Sequence, residues 1–244
     1  MLMLGIETSG ERGSVALVRE EEFLAEHRFA QGYRHARNIM VGVVEVACRA
    51  GVDKGEIDAV AVTEGPGSFT GLRVGVTCAK TLAWLLGRPA VGVATLEVLA
   101  QNVRPEEHLD ARGRPAQTVC PLLDARRSFV YGAVFEWRGG RWHDTIGLMA
   151  GPPRQVAESI PGGTLVFGSG VEAYPEIFLR RAPDGSQAAC PWQRGPDGLA
   201  EGRAEHTARL GLRALREGLQ ADPLTLVAKY YRRTEAEEKL ASRH

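Results

Sequence analysis

The chain has 244 residues, of which 44% are hydrophobic, and its 30 lysines and arginines balance 30 aspartates and glutamates. This length and apolar content suffice for one large or two small globular domains, each with its own core. A formal net charge of zero creates no global field toward nucleic acid or anionic lipid, which disfavours tight, direct RNA binding.

The cysteine pattern and the apolar segments indicate a cellular compartment. The four cysteines are scattered without a C-x-x-C pair, which is typical of a reducing environment and not of a disulfide framework or zinc site. Met1 to Leu4 runs into Gly5 and Glu7 and lacks the basic and long apolar regions of a signal peptide. The longest apolar stretch elsewhere, Leu82 to Leu86, is far below the ~20 residues of a membrane span. We therefore expect a soluble, cytoplasmic protein without membrane association.

The first half alternates short apolar strands with amphipathic helices in the order βββαβαβα. The predicted elements are Leu2 to Ile6, Ser14 to Val18, Glu22 to Phe29, His35 to Gly51, Ile57 to Val62, Thr70 to Leu86, Ala90 to Val93 and Thr95 to about Val103. The next segment, Arg104 to Pro115, is polar and contains two prolines, which favours a boundary there. We therefore divide the chain into residues 1–103 and 104–244.

The second half again opens with antiparallel strands, followed by strand-helix units. The predicted elements are a strand from Thr118 to Leu123, a hairpin of Ser128 to Trp137 and Arg141 to Leu148, a short helix led by Pro152-Pro153, a strand from Thr164 to Phe167, and helices from Glu172 to Arg181 and Pro196 to Gly218. A Gly- and Pro-rich loop is expected between the last two helices, from Ala182 to Gly195. Both halves thus share a strand meander followed by strand-helix units.

Three turns are candidates for binding a phosphate or nucleotide. Hydroxyls and free amides in the first turn, or helix-start amides after a glycine-rich strand end, could hold an anion. The candidate residues are Thr8, Ser9, Gly10, Gly65, Gly67, Ser68, Gly168 and Gly170. The second loop lacks the lysine of a Walker A motif. The alternatives are an ordinary hairpin turn for the first and a rigid Gly-Pro helix start for the second.

The helix that follows the second loop is apolar on more than one side. Gly71 and Gly75 lie one turn apart and would let another helix approach closely, with Arg73 at the rim of the contact. This pattern predicts either a partner-binding helix or a helix that is fully internal. The residues alone leave both interpretations open.

Catalytic signatures are absent from the sequence. The six histidines show neither H-E-x-x-H nor H-x-x-x-H spacing, and no G-x-S-x-G motif surrounds Ser68 or Ser169. Asp124 with Arg126 and Arg127 could bind a ligand, but an ion pair that orders a turn is the more frequent arrangement. The segment from Lys229 to Arg233 could touch RNA, although acidic residues follow it and favour a solvated tail.

Several motifs together resemble one known family. They are Leu4-Gly5-Ile6-Glu7-Thr8-Ser9, Ser14-Val15-Ala16-Leu17, Gly65-Pro66-Gly67-Ser68-Phe69-Thr70-Gly71-Leu72-Arg73-Val74-Gly75, Gly92-Val93, Asp124-Ala125-Arg126 and Gly168-Ser169-Gly170. This set resembles the TsaB (YeaZ) family over most of the chain. The resemblance implies an α/β, actin-like ATPase (ASKHA) fold of two ribonuclease-H-like subdomains. It also implies a role in t6A biosynthesis, the threonylcarbamoylation of adenosine 37 in tRNAs that read ANN codons, as the scaffold for the paralogue TsaD and the ATPase TsaE.

The resemblance also assigns this chain to the non-catalytic side of that complex. Where the catalytic paralogue carries two metal-binding histidines, this sequence has Thr95 and Leu99, which cannot replace imidazole as metal ligands. Glu7 stands where actin-like ATPases usually have an aspartate, which argues against ATP hydrolysis by this subunit. We therefore expect no catalytic residue, no metal and no tightly bound cofactor in the chain, with ATP or ADP at the complex interface left open.

Family members pair through the helices that here begin near His35 and Thr70, either with the TsaD-type paralogue or as homodimers. The resemblance therefore predicts an interface at His35, Ile39, Val43, Thr70, Gly71, Arg73, Val74 and Gly75. The tRNA is expected to be bound indirectly, through the complex. Three alternatives remain: an active actin-like ATPase or small-molecule kinase, a metallopeptidase, and a purely structural homodimer.

Overall fold

The computed structural model describes residues 1–29, 35–108, 113–179, 192–219 and 222–231, apart from the side chains of residues 35 and 36. The described residues form two sheets, one from each half of the chain, with helices packed against them. No helix in this part of the chain combines the length and apolar content needed to cross a membrane.

The first sheet has five strands in the order β3-β2-β1-β4-β5. The strands are β1 (Leu2–Glu7), β2 (Ser14–Arg19), β3 (Glu22–Arg28), β4 (Ala59–Gly65) and β5 (Ala90–Ala94). The first three form an antiparallel meander, whereas β1, β4 and β5 are parallel neighbours. Every residue of β1 is buried, because the strand is central and both faces of the sheet are covered.

Three helices cover the two faces of the first sheet. Helices α1 (His35–Ala50) and α2 (Phe69–Leu86) pack on one face, against a core that includes Leu4, Ile6 and Leu17. Helix α7 (Ala204–Arg216) packs on the other face, against β1, β2 and β4. Glycines end the first two helices as predicted, since Gly51 and Gly87 both have left-handed backbone angles.

The second sheet has seven strands, with the path β10-β7-β6-β11-β12 and a hairpin of β8 and β9 attached to β6. The strands are β6 (Thr118–Asp124), β7 (Val130–Gly132), β8 (Phe135–Arg138), β9 (Arg141–Asp144), β10 (Met149–Gly151), β11 (Leu165–Phe167) and β12 (Gln193–Arg194). The short helices are α3 (Thr95–Ala100), α4 (Pro153–Glu158), α5 (Ser169–Ala173) and α6 (Pro175–Phe178). Val156 of α4 and Leu99 of α3 belong to different core clusters of this sheet.

Several predicted elements of the second half were wrong in extent. The predicted strand from Ser128 to Trp137 is two strands, because β7 pairs with β6 and β10 while β8 pairs with β9. The helix predicted from Glu172 is replaced by α5 and α6, since Pro175 starts a new helix. The last helix begins at Ala204 and not at Pro196.

The predicted division of the chain into two continuous halves needs one correction. Helix α7 comes from the second half, yet it packs on the first sheet, where Ala208 and Leu212 join a core with Met3 and Val91. Residues 204–216 therefore belong structurally to the first unit, meaning the first sheet and the helices packed on it. The boundary near residue 104 stays a prediction.

Candidate functional site

The first turn and the start of α2 are in direct contact. The Thr8 hydroxyl donates a hydrogen bond to the Gly71 carbonyl at 2.9 Å. A Cβ at Gly71 would come within 2.0 Å of the Thr8 carbonyl oxygen, and one at Gly75 within 2.1 Å of Thr8 Oγ1. The two glycines therefore allow α2 to approach β1, and they face the interior of the chain. The prediction that Gly71 and Gly75 lie in a partner interface is therefore wrong, because both are buried against Thr8.

The amide donors predicted for phosphate binding are used inside the chain. The Ser9 amide donates to Glu7 Oε1 at 2.6 Å, and the Ser68 amide donates to the Ser9 carbonyl at 2.7 Å. The Ser68 hydroxyl caps α2 by accepting from the Gly71 amide at 3.2 Å. Gly67 lies against Ser9 as well. In this arrangement the amides of Ser9, Ser68 and Gly71 are bonded within the chain and are not available to an anion.

Glu7 is fully buried at the end of β1. Its Oε1 accepts hydrogen bonds from the amide and the hydroxyl of Ser9, whereas Oε2 has no partner among the described residues. Gly202 covers the carboxyl group, since a Cβ there would come within 2.9 Å of Oε2. Burial raises the pKa of Glu7, although hydrogen bonds from Ser9 and Thr63 oppose the shift. This favours a neutral carboxyl group, which is unsuited to holding a metal-bound water.

The C-terminal residues 222–231, here called the C-terminal segment, run along the end of β4. The Lys229 amide donates to the Glu64 carbonyl at 2.7 Å, and its ammonium pairs with the Glu64 carboxylate at 2.6 Å. Gly65 lies against the Lys229 carbonyl, and Leu226 is buried in the core beneath α2. The segment is therefore docked on β4 through Leu226 and the Lys229 backbone, while the side chains of Lys229, Tyr230 and Tyr231 stay exposed as expected of a solvated tail. Arg232 and Arg233 lie outside the described residues.

The other predicted turn residues occupy different surroundings. Gly10 is exposed, and a Cβ there would meet nothing closer than 3.9 Å. Gly168 and Gly170 pack against Leu122 of β6. The Ser169 hydroxyl between them accepts from the Asp124 amide at 3.0 Å, so this loop is tied to the second sheet.

The outer faces of α1 and α2 form an exposed surface with an apolar part. Met40, Val41 and Val44 of α1 are 47%, 54% and 51% exposed, and Thr70 and Arg73 of α2 are exposed beside them on the same side of the sheet. We call these five residues the α1–α2 face. Exposed aliphatic side chains grouped on one helix make this face a candidate for a protein contact.

The structure corrects two predicted interface residues. Ile39 and Val43 are buried in the core of the first unit, because their side of α1 faces the sheet. Val74 is partly buried, and the side chain of His35 lies outside the described residues. The assignment of α1 and α2 to an interface stays a prediction, and on α1 the exposed residues are the neighbours of those predicted.

The positions assigned to the paralogue's histidines are buried here. Thr95 begins α3, and its hydroxyl has no hydrogen-bond partner among the described residues. Leu99 packs in the core of the second unit. Within the described ranges, no group of three or more His, Cys, Asp or Glu side chains is arranged to hold a metal ion.

Comparison with known proteins places the chain in a family. Residues 29–166 match the family model TsaD, tRNA N6-adenosine threonylcarbamoyltransferase. The tRNA threonylcarbamoyladenosine biosynthesis protein TsaB of Escherichia coli is 31% identical over 72% of this chain and 75% of that protein. The chain belongs to the TsaB family. The Bacillus subtilis TsaB is 29% identical and is matched over 98% of this chain and 97% of its own length.

The relationship extends to the transferases and to the fold. A tRNA N6-adenosine threonylcarbamoyltransferase of Porphyromonas gingivalis is 39% identical over 75% of this chain, which spans only 60% of that enzyme. The solved structure of YeaZ from Pseudomonas aeruginosa superposes with a TM-score of 0.76 at 27% identity, over 94% of this chain and 99% of that one. The predicted α/β actin-like fold is confirmed.

Sequence reasoning missed the residues that close the site from elsewhere in the chain. Gly202 covers Glu7, and Leu226 and Lys229 cover β4, although all three lie more than 130 residues further along. The aromatic residues at 230 and 231 were the available signal, since paired aromatics seldom occur in a solvated tail.

Proposed function

We propose that the chain is the non-catalytic subunit of a complex that transfers a threonylcarbamoyl group to N6 of adenosine 37 in tRNAs reading ANN codons. The membership of the chain in the TsaB family, at nearly the full length of its Bacillus subtilis relative, carries this proposal. The catalytic subunit would be a TsaD-type paralogue, assisted by a TsaE-type ATPase. The chain would act by holding the catalytic subunit in its active arrangement.

The residues at the paralogue's metal positions support the non-catalytic role. Leu99 has no donor atom and is buried among apolar side chains, so a metal ion there would require the core to open. The hydroxyl of Thr95 is a weak ligand compared with imidazole. In the part of the chain that the structure describes, no group of three or more His, Cys, Asp or Glu side chains replaces these ligands.

The α1–α2 face is proposed as the surface that binds the TsaD-type subunit. It combines three exposed aliphatic side chains of α1 with the exposed Thr70 and Arg73 of α2, and the Arg73 guanidinium lies 4.5 Å from the centroid of the Phe69 ring. A central apolar patch with a polar rim is the usual anatomy of a specific protein interface. The same face would also allow a homodimer in the absence of the paralogue.

For a nucleotide we propose no site between the two N-terminal loops. The Ser9 amide is engaged with Glu7, the Ser68 amide with Ser9 and the Gly71 amide with the Ser68 hydroxyl, and burial raises the pKa of the Glu7 carboxyl group. The residues of these two loops therefore do not fit a magnesium-bound triphosphate. ATP or ADP at the interface with the paralogue stays a prediction. This arrangement weakens the alternative of an active ATPase or kinase.

The test is reconstituted threonylcarbamoyl transfer with TsaD-type and TsaE-type partners, with and without this chain. We expect transfer only when the chain is present, and no ATP turnover by the chain alone. Val44→Glu, at the centre of the α1–α2 face, should reduce transfer in proportion to lost complex formation. Transfer that continues unchanged without the chain would exclude the scaffold role.

A further inference from the structure

The α1–α2 face is too small to be a complete interface. It has five residues, whereas a stable protein interface usually takes about 20–30 residues from each partner. A subunit that binds this face therefore contacts neighbouring surface as well. Ten of the fifteen large apolar side chains that are exposed in the described part of the chain lie on α1, α2 and the C-terminal segment. The exposed apolar surface therefore continues from α1 and α2 onto that segment.

The C-terminal segment lies alongside α2 and runs in the opposite direction. Near the end of α2, the Lys80 ammonium donates a hydrogen bond to the Leu224 carbonyl at 3.1 Å. At the start of α2, the ring centroids of Phe69 and Tyr230 are 4.8 Å apart. Leu226, between these two contacts, is buried in the core of the first unit. The segment is therefore a fixed strip beside α2 and extends the same surface.

One stripe of α2 joins the α1–α2 face to this strip. The stripe is formed by residues spaced four, seven and four positions apart, which places them on one side of the helix, namely Phe69, Arg73, Lys80 and Trp84. Phe69 and Lys80 contact the C-terminal segment, and Arg73 belongs to the α1–α2 face. Trp84 is 67% exposed and lies about three turns beyond Arg73. The stripe therefore continues the face to the end of α2.

A groove of about 350 Å³ opens beside Trp84, between the end of α2 and the C-terminal segment. Its lining is mostly apolar and includes one basic and one acidic side chain, with contributions from Trp84, Arg88, Pro89, Asp222, Pro223 and Leu224. Leu224 is 71% exposed, so the groove has an open apolar wall opposite α2. Apolar pockets of this kind hold the anchor residues of protein interfaces.

Both walls of the groove are held by hydrogen bonds. Gly87 ends α2 in a left-handed conformation, and the Arg88 amide donates to the Ala83 carbonyl at 2.8 Å. On the other wall, the Asp222 carboxylate accepts from the Leu224 amide at 2.8 Å. A groove that is already formed costs little conformational entropy when a partner binds.

We propose that the TsaD-type subunit bound on the α1–α2 face also covers the C-terminal segment and inserts a bulky apolar side chain into the groove beside Trp84. Tryptophan is among the residues that most often dominate the energy of an interface, and the preformed groove gives the partner's side chain a place to be buried. This inference rests on the proposed function, because that function assigns the α1–α2 face to this subunit. A second copy of the chain in the same groove is a separate outcome of the test.

The first experiment asks whether the partner covers Trp84. The full-length chain has four tryptophans. It is labelled with 5-fluorotryptophan, and the ¹⁹F resonance of Trp84 is assigned with Trp84→Phe. Adding the unlabelled TsaD-type subunit should shift this resonance and leave those of Trp137, Trp142 and Trp192 in place, because these three pack in the second unit. The chain alone, recorded at rising concentration, is the control for self-association.

The second experiment measures affinity for the TsaD-type subunit by calorimetry. Trp84→Ala should weaken binding about tenfold or more, whereas Phe23→Ala removes an exposed ring from β3 and should leave the affinity unchanged. Leu224→Glu should weaken binding to a similar degree, and Ile146→Glu, just after β9 in the second unit, is its matched control. All four residues are exposed, so the melting temperatures of the variants should stay close to that of the unchanged protein.

The outcomes separate this inference from the proposed function. A complex that forms with the Trp84 resonance unshifted, or that tolerates both Trp84→Ala and Leu224→Glu, would overturn the inference and leave the proposed function in place. A Trp84 resonance that shifts with the concentration of the chain alone, and that the TsaD-type subunit does not change, would assign the groove to a second copy and would also overturn it. If no complex forms, none of the four resonances moves on adding the TsaD-type subunit, and the proposed function fails together with the inference.

Discussion

Thr8 and Gly71 are joined twice, by a hydrogen bond of 2.9 Å from the Thr8 hydroxyl to the Gly71 carbonyl and by direct packing of Gly71 on the Thr8 backbone. Position 71 has no room for a side chain, because the obstructing atom is the backbone oxygen of Thr8, the buried residue that directly follows the central strand β1. The glycine-rich motif therefore joins β1 to α2 inside the chain. An interface or phosphate function is not needed to explain it.

Replacing Gly71 with alanine should destabilise the protein strongly. The new Cβ would lie 2.0 Å from the Thr8 carbonyl oxygen, so β1 and α2 must move apart, at a cost of about 3 kcal/mol or more. Gly10→Ala is the matched control, since no atom lies within 3.9 Å of its new Cβ. Denaturant unfolding measures both variants. Similar stability of the two would show that the loop adapts freely.

Replacing Glu7 with glutamine should stabilise the protein, and more so as the pH rises. Burial raises the pKa of Glu7, so the folded state holds its proton above the pH at which the unfolded chain releases it. The contribution of Glu7 to the free energy of unfolding is therefore complete below its unfolded pKa of about 4.3. It is lost as the pH rises through its higher pKa in the folded state. Glutamine does not titrate and can still accept from Ser9.

The comparison is made by thermal unfolding of both proteins from acidic to alkaline pH. The two melting temperatures should agree near pH 4 and diverge above it, by about 2–4 °C for each kcal/mol gained. A constant difference across the range would mean that Glu7 is already ionised in the folded protein. A lower melting temperature for the variant at every pH would mean that the Glu7 carboxylate stabilises the fold as a hydrogen-bond acceptor and that glutamine cannot replace it.

The sequence predicted the first half of the fold well because its signals are local. Strand runs such as Leu2–Glu7 are continuous and apolar, and Gly51 and Gly87 end their helices in left-handed conformations. The second half was harder, since β7, β10, β11 and β12 have only two or three residues each. Strands this short have no measurable alternation, and their pairing depends on partners distant in the chain.

The candidate site shows the same limit. The sequence placed Thr8, Ser9 and Ser68 in functional turns, and they do meet, but only coordinates show that they bond to each other. The family resemblance predicted α1 as a contact helix and named Ile39 and Val43, which lie on its buried side. The exposed and buried stripes of this helix are both aliphatic, so hydrophobicity could not separate them.

Adjacent valines on α1 should respond oppositely to a charge. Val43→Glu buries a carboxylate in the first core and should prevent stable folding. Val44→Glu alters a residue that is 51% exposed and should change stability by about 0.5 kcal/mol or less. It should nevertheless weaken binding of the TsaD-type subunit about tenfold or more, as measured by calorimetry.

An exposed aliphatic residue elsewhere provides the control for that measurement. Leu219→Glu introduces the same charge beyond the end of α7, at a residue that is 50% exposed. It should leave the affinity unchanged. If Val44→Glu also binds normally while Leu219→Glu does not, the partner lies near α7 and the proposed interface is incorrect.

Neighbouring residues of the C-terminal segment should also differ. Leu226 is buried against the first core and Val227 is 60% exposed, so only Leu226→Ala should detach the segment from β4. Loss of a buried leucine costs about 2 kcal/mol or more, which corresponds to roughly 30-fold faster exchange of the Lys229 amide with solvent deuterium. Val227→Ala should leave that exchange rate unchanged. Equal protection in both variants would mean that the Lys229 contacts with Glu64 hold the segment without help from Leu226, because the same amide reports on both.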